Sequence, residues 1–450
     1  MPNFCLFDVG STYTKGCIVN TDQEIILAQA SDFTTSSTDI SIGIEKVKQK
    51  MFKDITIHID KTLVCSSAKG GLKMIAIGLV PDLTLKAAQL ACYSAGAKVI
   101  KSYSFELNQK ELDEIENSNC DILLLSGGTD GGNTSSVRHN TNQLIKLKSR
   151  FPIIYAGNKS CQDEIRIQLE QHNFECILCD NVMPSYGILE VDDCKNKIRE
   201  LFLNSIVKAK GLSQLNDVID EIVLPTPLSV FEALKLLSKG SKNEPGIGDL
   251  IAIDIGGATT DVYSMNTKLV INEEFGYKGL QEPLEKRSVE GDLGLRFSAP
   301  HVYELNVDLH STEFDMYINE IKNNPHLKSN IELDTQLAST CVDLATQRHV
   351  GRLETSYTPM GISYYQTGKD CRNVKQCIGI GGPIIYNPNA RSILSQCLTK
   401  PNQKDVLLPI ECEFYLDQDY LISCLGLLSK QYPDVVIRIL KKKLEKLNHV

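Results

Sequence analysis

The sequence predicts an α/β protein built from two halves of the same plan, with a further parallel α/β unit inserted in the first. Three observations predict it. FCLFDVGSTYTK (residues 4–15) reads as an apolar strand running into an Asp, a glycine turn and hydroxyl residues, and LIAIDIGGATTDVYS (residues 250–264) reads the same way. One of them opens each half of the chain. Between them lies a run of alternating strands and helices with a different rhythm. At 450 residues the chain also exceeds one ordinary core, so two or three domains are expected.

Residues 4–9, 15–20 and 25–30 are short apolar runs separated by turns at 10–14 and 21–23, the pattern of a three-stranded meander. Ile40, Ile44, Val47 and Met51 recur at helical spacing within 39–52, and strands follow near 63–66 and 73–78. From residue 80 come helix 83–95, strand 98–100, helix 109–116, strands 122–125 and 153–156, helix 161–171 and strand 175–178. Strands joined through helices make a parallel sheet, so this stretch is expected to be an inserted subdomain. Helices return at 194–208 and 228–238, and the polar, Gly- and Pro-containing SKGSKNEPGIG (238–248) is expected to connect the halves. Strands at 250–254, 260–264 and 269–273 repeat the opening plan. A strand at 374–380, a glycine turn, and helices from 390, near 420–428 and at 433–446 close the chain. The last helix is amphipathic, with Ile437, Leu440, Leu444 and Leu447 inward and its lysines solvated. The expected domains are residues 1–79 with 184–245, residues 80–183, and residues 246–450.

Hydrophobic residues make up 42% and charged residues 23%, an ordinary globular balance. A net charge of −9 argues against a general nucleic-acid binder, which needs a basic field, so no nucleic-acid partner is expected. An acidic chain can still bind a polyphosphate locally, with backbone N–H groups, a lysine and a divalent cation. No basic stretch precedes the first strand, and no apolar run approaches the roughly 18–20 residues of a membrane span. The expectation is a cytoplasmic protein without a membrane partner. Fifteen cysteines scattered through apolar segments fit a reducing compartment. Cys176 and Cys179 form the only C-x-x-C. With no second pair, two small side chains on a buried strand are favoured over a redox pair or half a metal site.

Glycine lets backbone N–H groups approach phosphate oxygens with no Cβ in the way. In the first turn Gly10, Ser11 and Thr12 are the expected donors. Asp8 is placed to hold Mg²⁺ through water, and Lys15 to reach the β- and γ-phosphates. In the second, Asp254, Gly256, Gly257, Thr259 and Thr260 repeat the arrangement. Asp254 is again a water-mediated metal ligand, suited to orient or deprotonate an attacking water, with Asp261 alongside. Asp8, Asp254 and Asp261 are thus the candidate catalytic carboxylates. Either loop alone would read as a hairpin turn with an exposed Asp; the pair points to ATP with Mg²⁺. A third turn, CIGIGGPIIYNPN (377–389), offers Gly379, Gly381 and Gly382 as a flat floor for adenine or ribose. SGGTDGGN (126–133) reads equally as an anion or partner loop and as a tight strand-to-helix connection.

In order, DxGSTxxK, IDIGGATTD and GIGGP resemble the phosphate-1, phosphate-2 and adenosine elements of the actin/sugar-kinase/heat-shock-chaperone ATPase superfamily. That resemblance implies duplicated actin-like (ribonuclease H-like) domains. LPTPLSVFEALKLL (224–237) resembles the first connecting helix of that superfamily, and residues 422–428, with Gly426, the second. VEGDLGLRFS (289–298) sits where a nucleotide-flanking loop is expected, which makes Gly291 and Asp292 implied contacts. LLLSGGTDGGN, YAGNKSCQDEI, NVMPSYGILEVDDCKNKIRELF, QRHVGRLETSYTPMG, GKDCRNVKQCIGIGGPII and LISCLGLLSKQYPDVVIRILKK extend the match nearly end to end. They resemble the accessory proteins of adenosylcobalamin-dependent glutamate (methylaspartate) mutase. The resemblance implies an ATP-dependent reactivating factor that helps a mutase subunit, its partner, exchange damaged cobalamin for intact cofactor. Some of these proteins share a name with DNA mismatch-repair factors, a function that the acidic charge and these motifs do not support. On the same fold, a small-molecule kinase would need a carboxylate in an acceptor cleft. A filament protein of the actin type would use the same nucleotide turns, and an iron–sulfur activator would need cysteines spaced to bridge a cluster. The oligomeric state is left open.

Overall fold

The computed structural model describes residues 2–10, 13–34, 40–67, 72–207, 221–268, 275–325, 330–358 and 361–448. The chain forms two compact units, Met1–Ser229 with Gly279–Gln281, and Val230–Lys278 with Glu282–Val450. The division falls inside the helix Thr226–Lys239 rather than in the polar segment 238–248. That segment is tied to the C-terminal helix Pro433–Lys443 instead: Asn243 donates to Asp434 at 2.8 Å, and Arg438 pairs with Glu244.

The first unit is organised around a five-stranded sheet in the order Glu221–Pro225, Lys61–Ser66, Asn3–Val9, Tyr13–Asn20, Ile25–Phe33. Asn3–Val9 runs antiparallel to Tyr13–Asn20 and parallel to Lys61–Ser66, which is parallel to Glu221–Pro225. Counted along the chain, the order is 3-2-1-4-5. Six of the seven residues of Asn3–Val9 are buried. A central strand covered on both faces takes an unbroken apolar run, which is why FCLFDV shows no alternation.

The second unit repeats the plan. Its sheet runs Glu285–Glu290, Thr260–Met265, Leu250–Ile255, Gln376–Ile380, Glu413–Leu416, with a short edge at Glu445–Lys446. The first two pairings are antiparallel and the next two parallel, so the order is again 3-2-1-4-5 with the same sense. The duplicated actin-like fold is therefore present strand for strand. The expected third strand at 269–273 lies outside the described residues; Glu285–Glu290 occupies the third-strand position. Ile251, Ile253, Ile255 and Val262 point into a core with the helices Thr312–Asn323 and Ile331–His349.

The inserted sheet is fully parallel, in the order Lys98–Ser104, Lys73–Gly78, Ile122–Leu125, Ile153–Tyr155, Cys176–Leu178. Lys73–Gly78, expected in the first half-domain, is instead the first strand of this doubly wound sheet. Its hydrogen-bond partners are Lys98–Ser104 and Ile122–Leu125, both later in the chain. All fifteen cysteines are free thiols, and all but Cys120, Cys176 and Cys412 are buried. Burial pushes the Cys176 thiol up to about 12, and Cys179 donates to the Tyr155 carbonyl at 3.5 Å, which suits small packing side chains. Among the described residues no helix is long and apolar enough to cross a membrane.

A buried polar layer lies on the second unit's sheet. His349 is fully buried, with Nδ1 at 2.7 Å from Ser288 Oγ and Nε2 at 2.7 Å from Ser264 Oγ. Lys286 pairs with Glu282 at 2.6 Å, and Lys369 donates to the Ser264 carbonyl at 3.1 Å. Burial pulls Lys369 down to about 8; the Cys371, Glu282 and Glu285 charges oppose this and Lys286 adds to it. Between about pH 8 and the ordinary lysine value, the unfolded chain holds a proton that the folded chain has lost. Stability therefore rises with pH in that window, and the cost is full below it. Lys369→Met is expected to remove this component. Its stability relative to wild type should fall by on the order of 2–3 kcal/mol between pH 7.5 and 10.5 in urea unfolding. Parallel curves would contradict this.

Candidate functional site

The two first strands end alike. In the first unit Asp8 precedes a turn in which the Gly10 N–H donates to the Tyr13 carbonyl at 3.0 Å. In the second, Asp254 precedes a turn in which the Gly256 N–H donates to the Thr259 carbonyl at 2.8 Å. A Cβ on Gly10 would meet the Tyr13 oxygen at 2.8 Å, so the turn needs glycine there. Register completes the parallel: Asp8 lies opposite Lys15, and Asp254 lies opposite Asp261. Ser11 and Thr12 lie outside the described residues.

In the second unit the expected donors divide into two groups. The Gly256 N–H closes the turn. Among the described residues, the N–H groups of Gly257, Ala258 and Thr259 have no intramolecular acceptor, and all three residues are partly exposed. Consecutive unpaired N–H groups make an anion-binding concavity. Thr260 instead faces inward: it is fully buried, and its hydroxyl donates to the Leu293 carbonyl at 2.9 Å.

The loop after Glu285–Glu290 buttresses this turn. Leu295 N–H donates to Gly256 O at 3.1 Å, while Arg296 and Phe297 N–H both donate to Gly257 O at 2.8 Å. A Cβ on Gly294 would lie 2.6 Å from the Ala258 carbonyl carbon, so loop and turn pack backbone on backbone. Gly291 contributes its carbonyl to Ser298 Oγ at 3.3 Å. Asp292 accepts from Arg348 at 2.9 Å and lies 3.4 Å from His301, so in this structure its carboxylate is engaged by side chains of the same unit.

Asp254 is partly exposed at the end of its strand, and Asp261 is nearly buried. Asp261 Oδ2 accepts from Arg287 at 3.1 Å, and its Oδ1 is buried without a partner among the described residues. Burial works against the charged Arg287 guanidinium, but the charges and hydrogen bonds of Asp261 and Tyr263 together outweigh it and leave the pKa raised. Tyr263 packs 5.8 Å from the guanidinium carbon, and burial raises its hydroxyl pKa well above the usual value. Arg287 belongs to the charged stretch EKRSVE, and no sequence signal marked it.

The third turn adjoins Asp254 directly. Gly381 has φ +87°, and a Cβ there would lie 2.3 Å from Ile255 O and 2.6 Å from Asp254 Oδ1. Gly381→Ala combines left-handed strain with these contacts. It is expected to cost about 2 kcal/mol or more in thermal unfolding and to weaken nucleotide uptake. Gly379 serves packing: its Cβ position is filled by Ile384, Leu394 and Leu416. Gly382 lies beside the rings of Tyr386, which is exposed, and Tyr420, whose centroids are 5.9 Å apart. Burial raises the Tyr420 pKa, with the Tyr386 hydroxyl and Asp254 adding to the shift.

The glycines of 126–133 are tied by side chains from neighbouring loops. Asn158 accepts from Gly131 N–H at 3.1 Å and donates to Gly132 O at 3.1 Å, and Asn181 donates to Gly128 O at 3.0 Å. The loop leads into the helix Ser135–Leu144.

Mg²⁺ keeps several waters and is bound through one or two carboxylates plus substrate phosphates. Asp254, partly exposed beside unpaired N–H groups, fits that donor set. Asp8 fits it too: among the described residues, protein donors engage its Oδ1 and none engages Oδ2. Among the described residues no three His, Cys, Asp or Glu side chains converge as a metal cage. An ion here would take its remaining ligands from phosphate and water.

A family model described as "MutL protein" matches residues 4–444. "Protein MutL" of Clostridium tetanomorphum is 42% identical over 461 residues, covering 99% of this chain and 100% of that one. Among solved structures, nucleotide-free acetone carboxylase is similar at 11% identity and TM-score 0.38, over 95% of this chain and 70% of the other. The ADPNP-bound activator of 2-hydroxyisocaproyl-CoA dehydratase from Clostridium difficile is similar at 10% identity and TM-score 0.32, over 99% and 100%. These structural likenesses are distant. The family match and the full-length identity decide the matter: this chain belongs to the MutL protein family.

Proposed function

We propose that the protein is an ATP-binding and ATP-hydrolysing accessory factor that reactivates an adenosylcobalamin-dependent mutase of the glutamate (methylaspartate) class. One observation carries the nucleotide reading. Two sheets that share the order of their first five strands each end the first strand in an Asp and a glycine turn closed by the same N–H···O bond, and one turn exposes three N–H groups unpaired among the described residues. The nearly end-to-end sequence resemblance to the mutase accessory proteins, and membership of the MutL family, support the partner. The unpaired N–H groups of 257–259 would hold phosphate oxygens, and Lys15 would add a positive charge. Asp8 and Asp254 would hold Mg²⁺ through water, and the ion would neutralise charge on the phosphates. Asp254 would orient the attacking water.

A bound nucleotide can shift the partner's equilibrium only by its differential affinity for two states. The mutase subunit should therefore bind the ATP-loaded and ADP-loaded forms with different affinity. Pull-down of the mutase with each nucleotide tests this. Equal retention in both would end the remodelling reading, while leaving nucleotide binding to be judged separately.

A further inference from the structure

Three strands of the first unit end at one level. Val9 pairs with Ser66, Ser66 pairs with Pro225, and Asp8 pairs with Cys65. The residue after Pro225 therefore emerges beside Asp8, although 218 positions separate them. That residue is Thr226, the first of the helix Thr226–Lys239. Its hydroxyl donates to Asp8 Oδ1 at 2.6 Å, a short charge-assisted bond. The Cys65 thiol donates weakly to the same oxygen at 3.7 Å. Among the described residues, Asp8 Oδ2 has no protein donor, although Asp8 is only 5% exposed. Both donors thus hold one oxygen and leave the other to whatever enters the turn.

We propose that Thr226 is a positioning residue, its hydroxyl clamping Asp8 Oδ1 so that Oδ2 is presented to the divalent cation of a bound nucleotide. The inference rests on the proposed function and goes beyond it in assigning the orientation of Asp8 to one hydroxyl. Without that hydroxyl the carboxylate can rotate about its last side-chain bond, and the cation must then fix it at an entropic cost. The two cases differ in their metal dependence. A merely structural tie would affect nucleotide affinity equally with and without metal; a positioning hydroxyl affects only the metal-dependent part.

The test is calorimetric titration with ATP in Mg²⁺ and with ATP in EDTA, on wild type, Thr226→Val, Thr226→Ser, Asp8→Ala and the double variant Asp8→Ala/Thr226→Val. Melting of each ligand-free protein monitors folding. Thr226→Val is expected to lose about tenfold or more of the Mg²⁺-dependent gain in affinity while keeping its metal-free affinity. Thr226→Ser should restore the gain, and Thr226→Val should add nothing in the Asp8→Ala background. The inference is overturned if Thr226→Val matches wild type, if it loses affinity equally with and without Mg²⁺, or if its penalty persists without Asp8. A wild-type protein that takes up no nucleotide overturns the proposed function itself, and this inference with it.

Discussion

Asp254→Asn should lower ATP turnover by roughly a thousandfold, within the span of about 10²–10⁴ typical of a positioned acid–base group. Asparagine keeps the shape and removes the charge. Asp254 sits at a strand end, partly exposed, just ahead of the turn whose N–H groups at 257–259 are unpaired among the described residues, and a Cβ on Gly381 would lie 2.6 Å from its Oδ1. Its loss therefore removes the group proposed to orient water, without opening the core behind Ile253 and Ile255. Nucleotide affinity should change by less than about tenfold and the melting temperature by only a few degrees, because an exposed substitution costs little stability. Asp8→Asn should differ in kind: its main effect should be on the Mg²⁺-dependent part of affinity. Phosphate release under saturating Mg·ATP, beside a binding titration, separates the two. Unchanged turnover in Asp254→Asn would remove that residue from the reaction.

Arg287→Met should destabilise the second unit by about 3–5 kcal/mol, the range for breaking a buried ion pair from one side. Arg287 is 4% exposed, and its guanidinium faces Asp261, whose second oxygen already lacks a partner. Methionine fills the volume but leaves an uncompensated carboxylate indoors. The penalty belongs to the stranded charge, so Asp261→Leu/Arg287→Met should recover much of it. Urea unfolding of the three variants decides. A double variant as unstable as Arg287→Met would mean that the guanidinium contributes through its contacts with Tyr263 instead. Asp261 lies opposite Asp254 across the strand pair, but its charge is answered within the sheet.

The first strands, their Asp residues and the glycine turns were legible because each is a local pattern: an apolar run, one carboxylate, then residues that tolerate tight turns. The strand Lys73–Gly78 was legible as a strand but not as part of the inserted sheet, since its partners follow it in sequence and strand pairing leaves no local mark. The helix Ser135–Leu144 escaped because SSVRHNTNQL carries almost no apolar periodicity. EKRSVE is dense in charge, yet Lys286 and Arg287 are each 4% exposed, neutralised by Glu282 and Asp261. Charged residues read as surface unless their counter-charges are known; that of Lys286 is four residues away, but that of Arg287 lies on another strand. The Asp8–Thr226 contact was hidden for the same reason: nothing in the sequence around either residue points to the other.

On the proposed function, this duplicated fold holds Mg·ATP through its Asp-and-glycine turns. Titrating the purified protein with ATP in a calorimeter, with and without Mg²⁺, tests it most directly. Saturable uptake that strengthens with Mg²⁺, and that Asp8→Ala/Asp254→Ala abolishes, is the expected result. No uptake at millimolar Mg·ATP, or uptake unchanged in that double variant, would contradict it.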